Sequence, residues 1–325
     1  MSARPTATKF AAFATAALLG LPAAAQEPTR DHLVIATQFV PDILDGQQST
    51  SGYPLSHELI AQPLMRYDSA AGVFVPDLLE SFSVSEDGTI MTMVLPAGRT
   101  FTSGNPINAE ALAATIQRFI DEGPYGTDYD GVSALNVIDE VTLEVVNDNG
   151  FNLMYPNFVT SFGAAWDTIA AAEAGNEAFA SNPVAGGAFM IGQPWSPGLD
   201  LELVRNDGYA TSMPMVENKG PAHLASVTTR FITDAQTRAN ELEAGSVDIA
   251  FGLPAAALSY MADDPAYTIV EVVLPGMNGL KLNVRRAPFD DLAVRRAVAM
   301  AVDRDQIALA SAGPRCRKAP SSRPR

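Results

Sequence analysis

Residues 74–112 read FVPDLLESFSVSEDGTIMTMVLPAGRTFTSGNPINAEAL, and the periodicity changes within them. Thr89 to Leu95 reads as a strand whose alternate residues face opposite sides, one of them buried. Thr102 to Pro106 supplies the Ser, Gly, Asn and Pro of a turn. Asn108 then stands before Leu112, Ile116, Phe119 and Ile120, which share one face of a helix, and an Asn side chain in that place can accept from the free N–H groups of the first turn. Strand, turn and capped helix follow one another within forty residues.

Strand and helix patterns continue on both sides. Upstream, Leu33 to Thr37 (LVIAT) predicts a buried first strand, followed by a Pro/Asp/Gly-rich loop at Pro41 to Gly46 and a short helix over Ser56 to Met65. Downstream, Val141 to Val146, Leu199 to Val204, Val227 to Ile232 and Val247 to Ala250 read as strands, and Gly163 to Ala180 as an Ala-rich helix. Asp234 caps a helix that turns Ala235, Ala239 and Leu242 inward and stops at Gly245. Thr268 to Leu274 reads as a long apolar strand before Pro275 and Gly276. Further on, Leu280, Leu282 and Val284 alternate with polar residues, which predicts another strand. Pro288 ends it, Asp290 caps a helix with Val294, Ala297, Val298 and Ala301 on one face, and Asp303 with Gln306 forms a capping box. Mixed strands and helices define an α/β class with a mixed sheet.

The termini differ from the body. Arg4 and Lys9 precede an apolar run from Phe10 to Leu21, and Ala23-Ala24-Ala25 gives a small-residue exit before Gln26, the pattern of a cleavable export signal. No Cys follows that run, so the signal is not that of a lipoprotein. The last thirteen residues, GPRCRKAPSSRPR, hold five basic residues and no acid. They fit either a basic tail for anionic partners or a shifted reading frame. The chain has 21 Lys and Arg against 37 Asp and Glu, a net charge of −16. Setting aside the two basic residues of the signal and the five of the tail leaves 14 against 37, net −23. That acidity argues against nucleic acid, whose phosphates need Lys and Arg. The one cysteine, Cys316, excludes an internal disulfide. His32, His57 and His223 show no metal-ligand spacing, and no nucleophile elbow, phosphate loop or dinucleotide fingerprint is present. The pairs Asp263-Asp264 and Asp290-Asp291 suit helix ends better than acid–base chemistry.

Several segments together resemble one family, the extracellular solute-binding proteins (family 5) of ABC importers for dipeptides, oligopeptides and nickel. They are AQPLMRYD at 61–68, the stretch at 74–112, NPVAGGAF at 182–189, LELVRNDGYA at 201–210, RFITDAQTRANELEAGSVDIAFGLP at 230–254, and the helix after Asp290. The chain departs from the family at Ala185-Gly186-Gly187-Ala188-Phe189, where GTGPY is usual, and at Ala210, where an aromatic is usual. The resemblance implies a two-lobed periplasmic-binding-protein fold with mixed sheets, the second lobe incomplete. Its expected parts are a signal peptide at 1–25, a first-lobe core of 26–50 plus 185–268, an inserted subdomain at 51–184, the start of a second lobe at 269–312, and an aberrant basic tail at 313–325. It implies a periplasmic monomer that closes on a peptide or similar small solute and docks on ABC permease subunits, with no catalysis and no cofactor. The alternatives are a truncated, frameshifted fragment without function and, more remotely, an exported hydrolase. Aromatic and amide groups on loops beside an interlobe cleft supply stacking and hydrogen bonds without a charge penalty. By position these are Gln38 and Phe39 after the first strand, Tyr53 in the Ser51-Gly52-Tyr53 loop, and Met277 and Asn278 in the stretch from Thr268 to Asn278 that reads as a crossover between lobes. The sequence does not name the ligand.

Overall fold

The computed structural model describes residues 31–51, 55–151, 155–270, 280–304 and 306–307. In chain order the elements are β1 (His32–Thr37), α1 (Leu55–Ile60), β2 (Met65–Asp68), β3 (Val73–Pro76), β4 (Ser81–Val84), β5 (Ile90–Val94), α2 (Ala109–Glu122), β6 (Val132–Val137) and β7 (Thr142–Asn147). They continue with α3 (Tyr155–Phe158), α4 (Thr168–Ala174), α5 (Asn176–Ser181), β8 (Phe189–Ile191), β9 (Leu201–Arg205), β10 (Ser226–Phe231), α6 (Ala235–Glu243), β11 (Ile249–Ala250), α7 (Ala255–Met261) and α8 (Leu292–Ala301).

One sheet gathers the two ends of this order, with strands arranged β11-β1-β10-β9-β8. β1 runs parallel to both β10 and β11, while β9 is antiparallel to β10 and to β8. β10 and β11 lie parallel on either side of β1, and the crossover connection that joins them runs through α6. Ile35, Leu201, Leu203 and Val227 from this sheet pack with Leu44, Ile60, Trp166 and Phe179.

Residues drawn from Leu64 to Ala165 build a second core. An antiparallel sheet of order β4-β5-β7-β6 places Met91 opposite Val145 and Met93 opposite Leu143, all four buried. Leu112, Ile116 and Phe119 of α2 belong to the same cluster. Each such side chain removed from water contributes about 1.5–3 kcal/mol. Asn108 caps α2 as expected, its side chain accepting from the Ala111 N–H.

Polar groups join the two cores. Asp77, from the VPDLLES stretch, is buried and accepts from Arg66 Nε at 2.9 Å, Gln62 Nε2 at 2.8 Å and Thr211 Oγ1 at 2.6 Å. Arg66 also pairs with Glu58 at 2.7 Å. Gly187, inside the softened GTGPY-like segment, passes so close to α1 that an added Cβ would sit 2.3 Å from the Ile60 carbonyl oxygen.

Four sequence expectations are corrected. Gly163 to Ala180 is not one helix, because α4 and α5 are separated at Gly175, whose φ of +80° no helix accommodates. Residues 268–270 form no strand, and 271–279 lie outside the described residues. Residues 280–284 are irregular, with no neighbouring strand among the described residues to complete a ladder. The N-cap of α8 is Asp291, which accepts from the Ala293 N–H, and not Asp290. Asp303 does accept from the Gln306 N–H, at 3.0 Å.

His57 is fully buried, its Nε2–H donating to the Ile43 carbonyl at 2.8 Å, while Nδ1 has no partner among the described residues. Burial lowers its pKa below the ordinary 6.5, against the opposing pull of Asp45 and Asp42. Above 6.5 the ring is neutral in both folded and unfolded chains. As pH falls through that value the unfolded chain takes up the proton first, so stability declines. As pH falls below 6.5, the wild type is expected to lose up to ~1.4 kcal/mol per pH unit that His57→Gln does not lose. Urea unfolding at a series of pH values reads this difference, and parallel profiles for the two proteins would refute it.

Candidate functional site

In an open α/β sheet, ligands bind in the crevice outside the carboxyl ends of the parallel strands. Here those ends belong to β1, β10 and β11, with β1 in the middle. The chain leaves β1 through Gln38 and Phe39, β10 through Ile232 and Thr233, and β11 through Phe251 and Gly252.

Arg238 fixes two of these exits. It lies on α6, whose N-cap Asp234 accepts from the Thr237 N–H, and it is 2% exposed. Its Nη1 donates to the carbonyls of Ile232 (2.6 Å) and Thr233 (3.0 Å), its Nε to Phe251 (2.7 Å) and its Nη2 to Gly252 (2.6 Å). Burial lowers the pKa of the guanidinium, with the Asp234 carboxylate opposing. The group nevertheless remains charged at neutral pH. A planar fork with five donors matches a ring of carbonyls that a lysine ammonium could not span.

The remaining exit carries the groups expected from sequence. Phe39 is 56% exposed beside Val40, and Phe251 is 40% exposed. The Gln38 amide turns toward Gly252, whose φ is +61°, and an added Cβ there would lie 2.8 Å from Gln38 Oε1. Gln38 Oε1 is buried and accepts no hydrogen bond among the described residues. A buried acceptor of this kind costs free energy unless a donor reaches it. Gln38 and Phe39 are thus adjacent at the strand ends, whereas Tyr53, Met277 and Asn278 lie outside the described residues.

The loop after Phe39 is held from below. The Asp42 carboxylate accepts from Ser49 Oγ (2.6 Å), Thr50 Oγ1 (2.7 Å) and the Thr50 N–H (2.8 Å). Burial alone would raise its pKa, but these bonds outweigh that effect and hold it below the usual carboxylate range. Asp45 pairs with Arg118 of α2 at 2.6 Å, and Gln47 bridges Arg118 Nη1 and the Thr115 carbonyl. Arg238, Asp45 and Arg118 were not singled out in the sequence, where each reads as a solvated charge.

The site offers aromatic surface, an amide and backbone, with neither a metal-holding cluster of three or more His, Cys, Asp or Glu nor a membrane-spanning helix among the described residues. The fold has likenesses among solved structures. The nickel ABC transporter protein from Bacillus halodurans aligns with a TM-score of 0.62 at 26% identity, covering 85% of this chain and 55% of that one. A dipeptide-binding protein from Pseudoalteromonas sp. SM9913, solved with Met-Leu, aligns with a TM-score of 0.72 at 18% identity, covering 86% and 58%. The chain belongs to the bacterial extracellular solute-binding proteins, family 5, whose "family 5 Middle" model matches residues 73–315. Among curated relatives, di/tripeptide-binding protein 2 of Pseudomonas aeruginosa (strain UCBPP-PA14) is 24% identical over 294 residues, which are 82% of this chain and 54% of that protein. The chain spans about half the length of the curated relatives it matches.

Proposed function

We propose that the chain is the substrate-binding component of an ABC importer for peptides or similar small solutes. Binding is by lobe closure without covalent chemistry, and delivery is to permease subunits in the inner membrane. The observation that carries this reading is the ledge at the carboxyl ends of β1 and β11. There Phe39 and Phe251 are exposed, and the Gln38 side-chain carbonyl oxygen has no donor among the described residues. A peptide brings N–H groups and apolar side chains together, and so answers both. In this reading 26–50 plus 185–268 form the first-lobe core, 51–184 the inserted subdomain and 269–312 the start of the second lobe, with 313–325 a separate basic tail. Tyr53, Met277 and Asn278 complete the contact set.

The test is an NMR titration of the chain with a panel of di- and tripeptides, repeated on Gln38→Ala and Phe39→Ala. Each substitution is expected to weaken binding roughly three- to tenfold, from the loss of about 1 kcal/mol of hydrogen bonding or ring contact. Unchanged affinity in both variants would remove the ledge from the site. The reading also places the protein in the periplasm after cleavage following Ala25. Protein recovered from that compartment is expected to begin at Gln26 on N-terminal sequencing, and uncleaved chain in the membrane fraction would contradict it.

A second reading is a folded fragment that captures no solute. It is favoured by the share of its relatives' length that the chain spans and by α8, which has no buried residue. Reading the DNA beyond codon 310 in three frames separates the two, because a continuing family pattern in another frame would favour the fragment.

A further inference from the structure

Between residues 31 and 270 the chain carries seven Lys and Arg against 31 Asp and Glu, net −24. Each of the seven is already held by the protein. Arg66, Arg118, Arg205 and Arg230 pair with carboxylates at 2.6–2.9 Å. Arg99 donates to the Ala210 carbonyl at 2.7 Å, Lys219 to the Met213 carbonyl, and Arg238 to its four carbonyls. The ledge, by contrast, keeps an acid. Asp234 follows directly on the β10 exit, is exposed and forms no ion pair among the described residues. Its Oδ1 accepts from the Thr237 N–H at 2.7 Å and from Thr237 Oγ1 at 2.8 Å. These bonds hold its pKa below the ordinary value, so the group is charged at neutral pH. Two contacts place it beside the other ledge groups. The Ile232 N–H donates to the Thr37 carbonyl at 2.9 Å, so the chain after β10 runs next to Gln38 and Phe39. The Thr233 carbonyl shares the Arg238 guanidinium with those of Phe251 and Gly252.

We propose that the ledge selects solutes carrying a positively charged side chain, basic di- and tripeptides in particular, and that Asp234 determines this preference. The proposal rests on the ledge being the solute site. An ammonium or guanidinium group that enters there meets a carboxylate, and the exposed rings of Phe39 and Phe251 offer it π faces. A carboxylate in the same place meets no free cation from residues 31–270, since Arg238 is 2% exposed behind the carbonyls it holds. It also enters the field of the excess negative charge. The two effects differ in reach. Net charge acts through solvent on every solute, whereas Asp234 acts only on a cation held at the ledge, and a substitution at this one residue separates them.

The test is an NMR titration of the 325-residue chain with Ala-Lys, Ala-Gln and Ala-Glu, which share their termini and differ in side-chain charge. At about 0.05 M salt Ala-Lys is expected to bind roughly two- to fivefold more tightly than Ala-Gln, and Ala-Glu more weakly than both. At about 0.5 M salt the differences are expected to shrink, because the carboxylate is exposed. Asp234→Asn removes the charge and keeps a side chain that caps α6 equally well, so the parent fold is retained, which urea unfolding checks. In that variant Ala-Lys is expected to fall to the affinity of Ala-Gln. A preference for Ala-Lys that Asp234→Asn leaves intact overturns the proposal and assigns the preference to net charge. Equal binding of the three peptides, weakened in each case by Gln38→Ala, overturns it and leaves the ledge as the solute site. No shift with any of the three, or binding that none of Asp234→Asn, Gln38→Ala and Phe39→Ala alters, overturns both this proposal and the reading on which it rests.

Discussion

Replacing Arg238 by Leu is expected to lower the stability of the chain by about 3 kcal/mol, since hydrogen bonds from a charged donor contribute roughly 1.5–3 kcal/mol each and only part is recovered from water. The side chain holds four carbonyl oxygens, two after β10 and two after β11, at 2.6–3.0 Å. Leucine fills much of the volume but donates nothing. The carbonyls of Thr233, Phe251 and Gly252 sit on exposed residues and can turn to solvent, which is why the loss stays below the sum of four bonds. Turning them moves the strand exits that flank Gln38, so any peptide affinity falls together with stability. Arg238→Lys keeps the charge but reaches fewer carbonyls, and its loss is expected to be intermediate. Urea unfolding of the three proteins gives the order, and a leucine variant as stable as the parent would show that Arg238 does not hold the rim.

What the sequence revealed, and what it hid, follows from where the stabilising contacts lie. The strand at Ile90–Val94 and the helix at Ala109–Glu122 were legible because each turns one apolar face to a core, so their period is written in their own residues. The strands at Met65–Asp68, Val73–Pro76 and Phe189–Ile191 were not, since three or four residues are too few to show a period. At residues 280–284 the period was present without a strand. A ladder needs a neighbour, and alternation in one segment cannot supply it. The same logic separates the site residues. Gln38 and Phe39 could be named from their place just after a buried strand. Arg238 lies one position before the inward Ala239 on an otherwise polar helix, and only the carbonyls that meet it in three dimensions distinguish it from a solvated charge.

The largest effect expected concerns solute affinity. Under the proposed division, residues 269–312 are what this chain contributes to the second lobe, and α8 within them has no buried residue. A clamp divides its contacts between two lobes and excludes water on closing. A ligand held at micromolar Kd has about −8 kcal/mol of binding free energy, and half of it corresponds to millimolar. The loss exceeds half, because the translational and rotational cost of immobilising the ligand is paid in full by whichever contacts remain. The first-lobe ledge, with one amide and two rings, is a contact set of that smaller kind. The 325-residue chain is therefore expected to bind di- and tripeptides no more tightly than millimolar. A chain extended to the length of its relatives is expected to reach micromolar or better, at least a thousandfold tighter. Calorimetry on the longer chain and NMR titration on the shorter, with one peptide panel, measure the two values. Micromolar binding by the shorter chain would mean that the ledge at the ends of β1 and β11 holds the solute alone, and lobe closure would then have no part in its affinity.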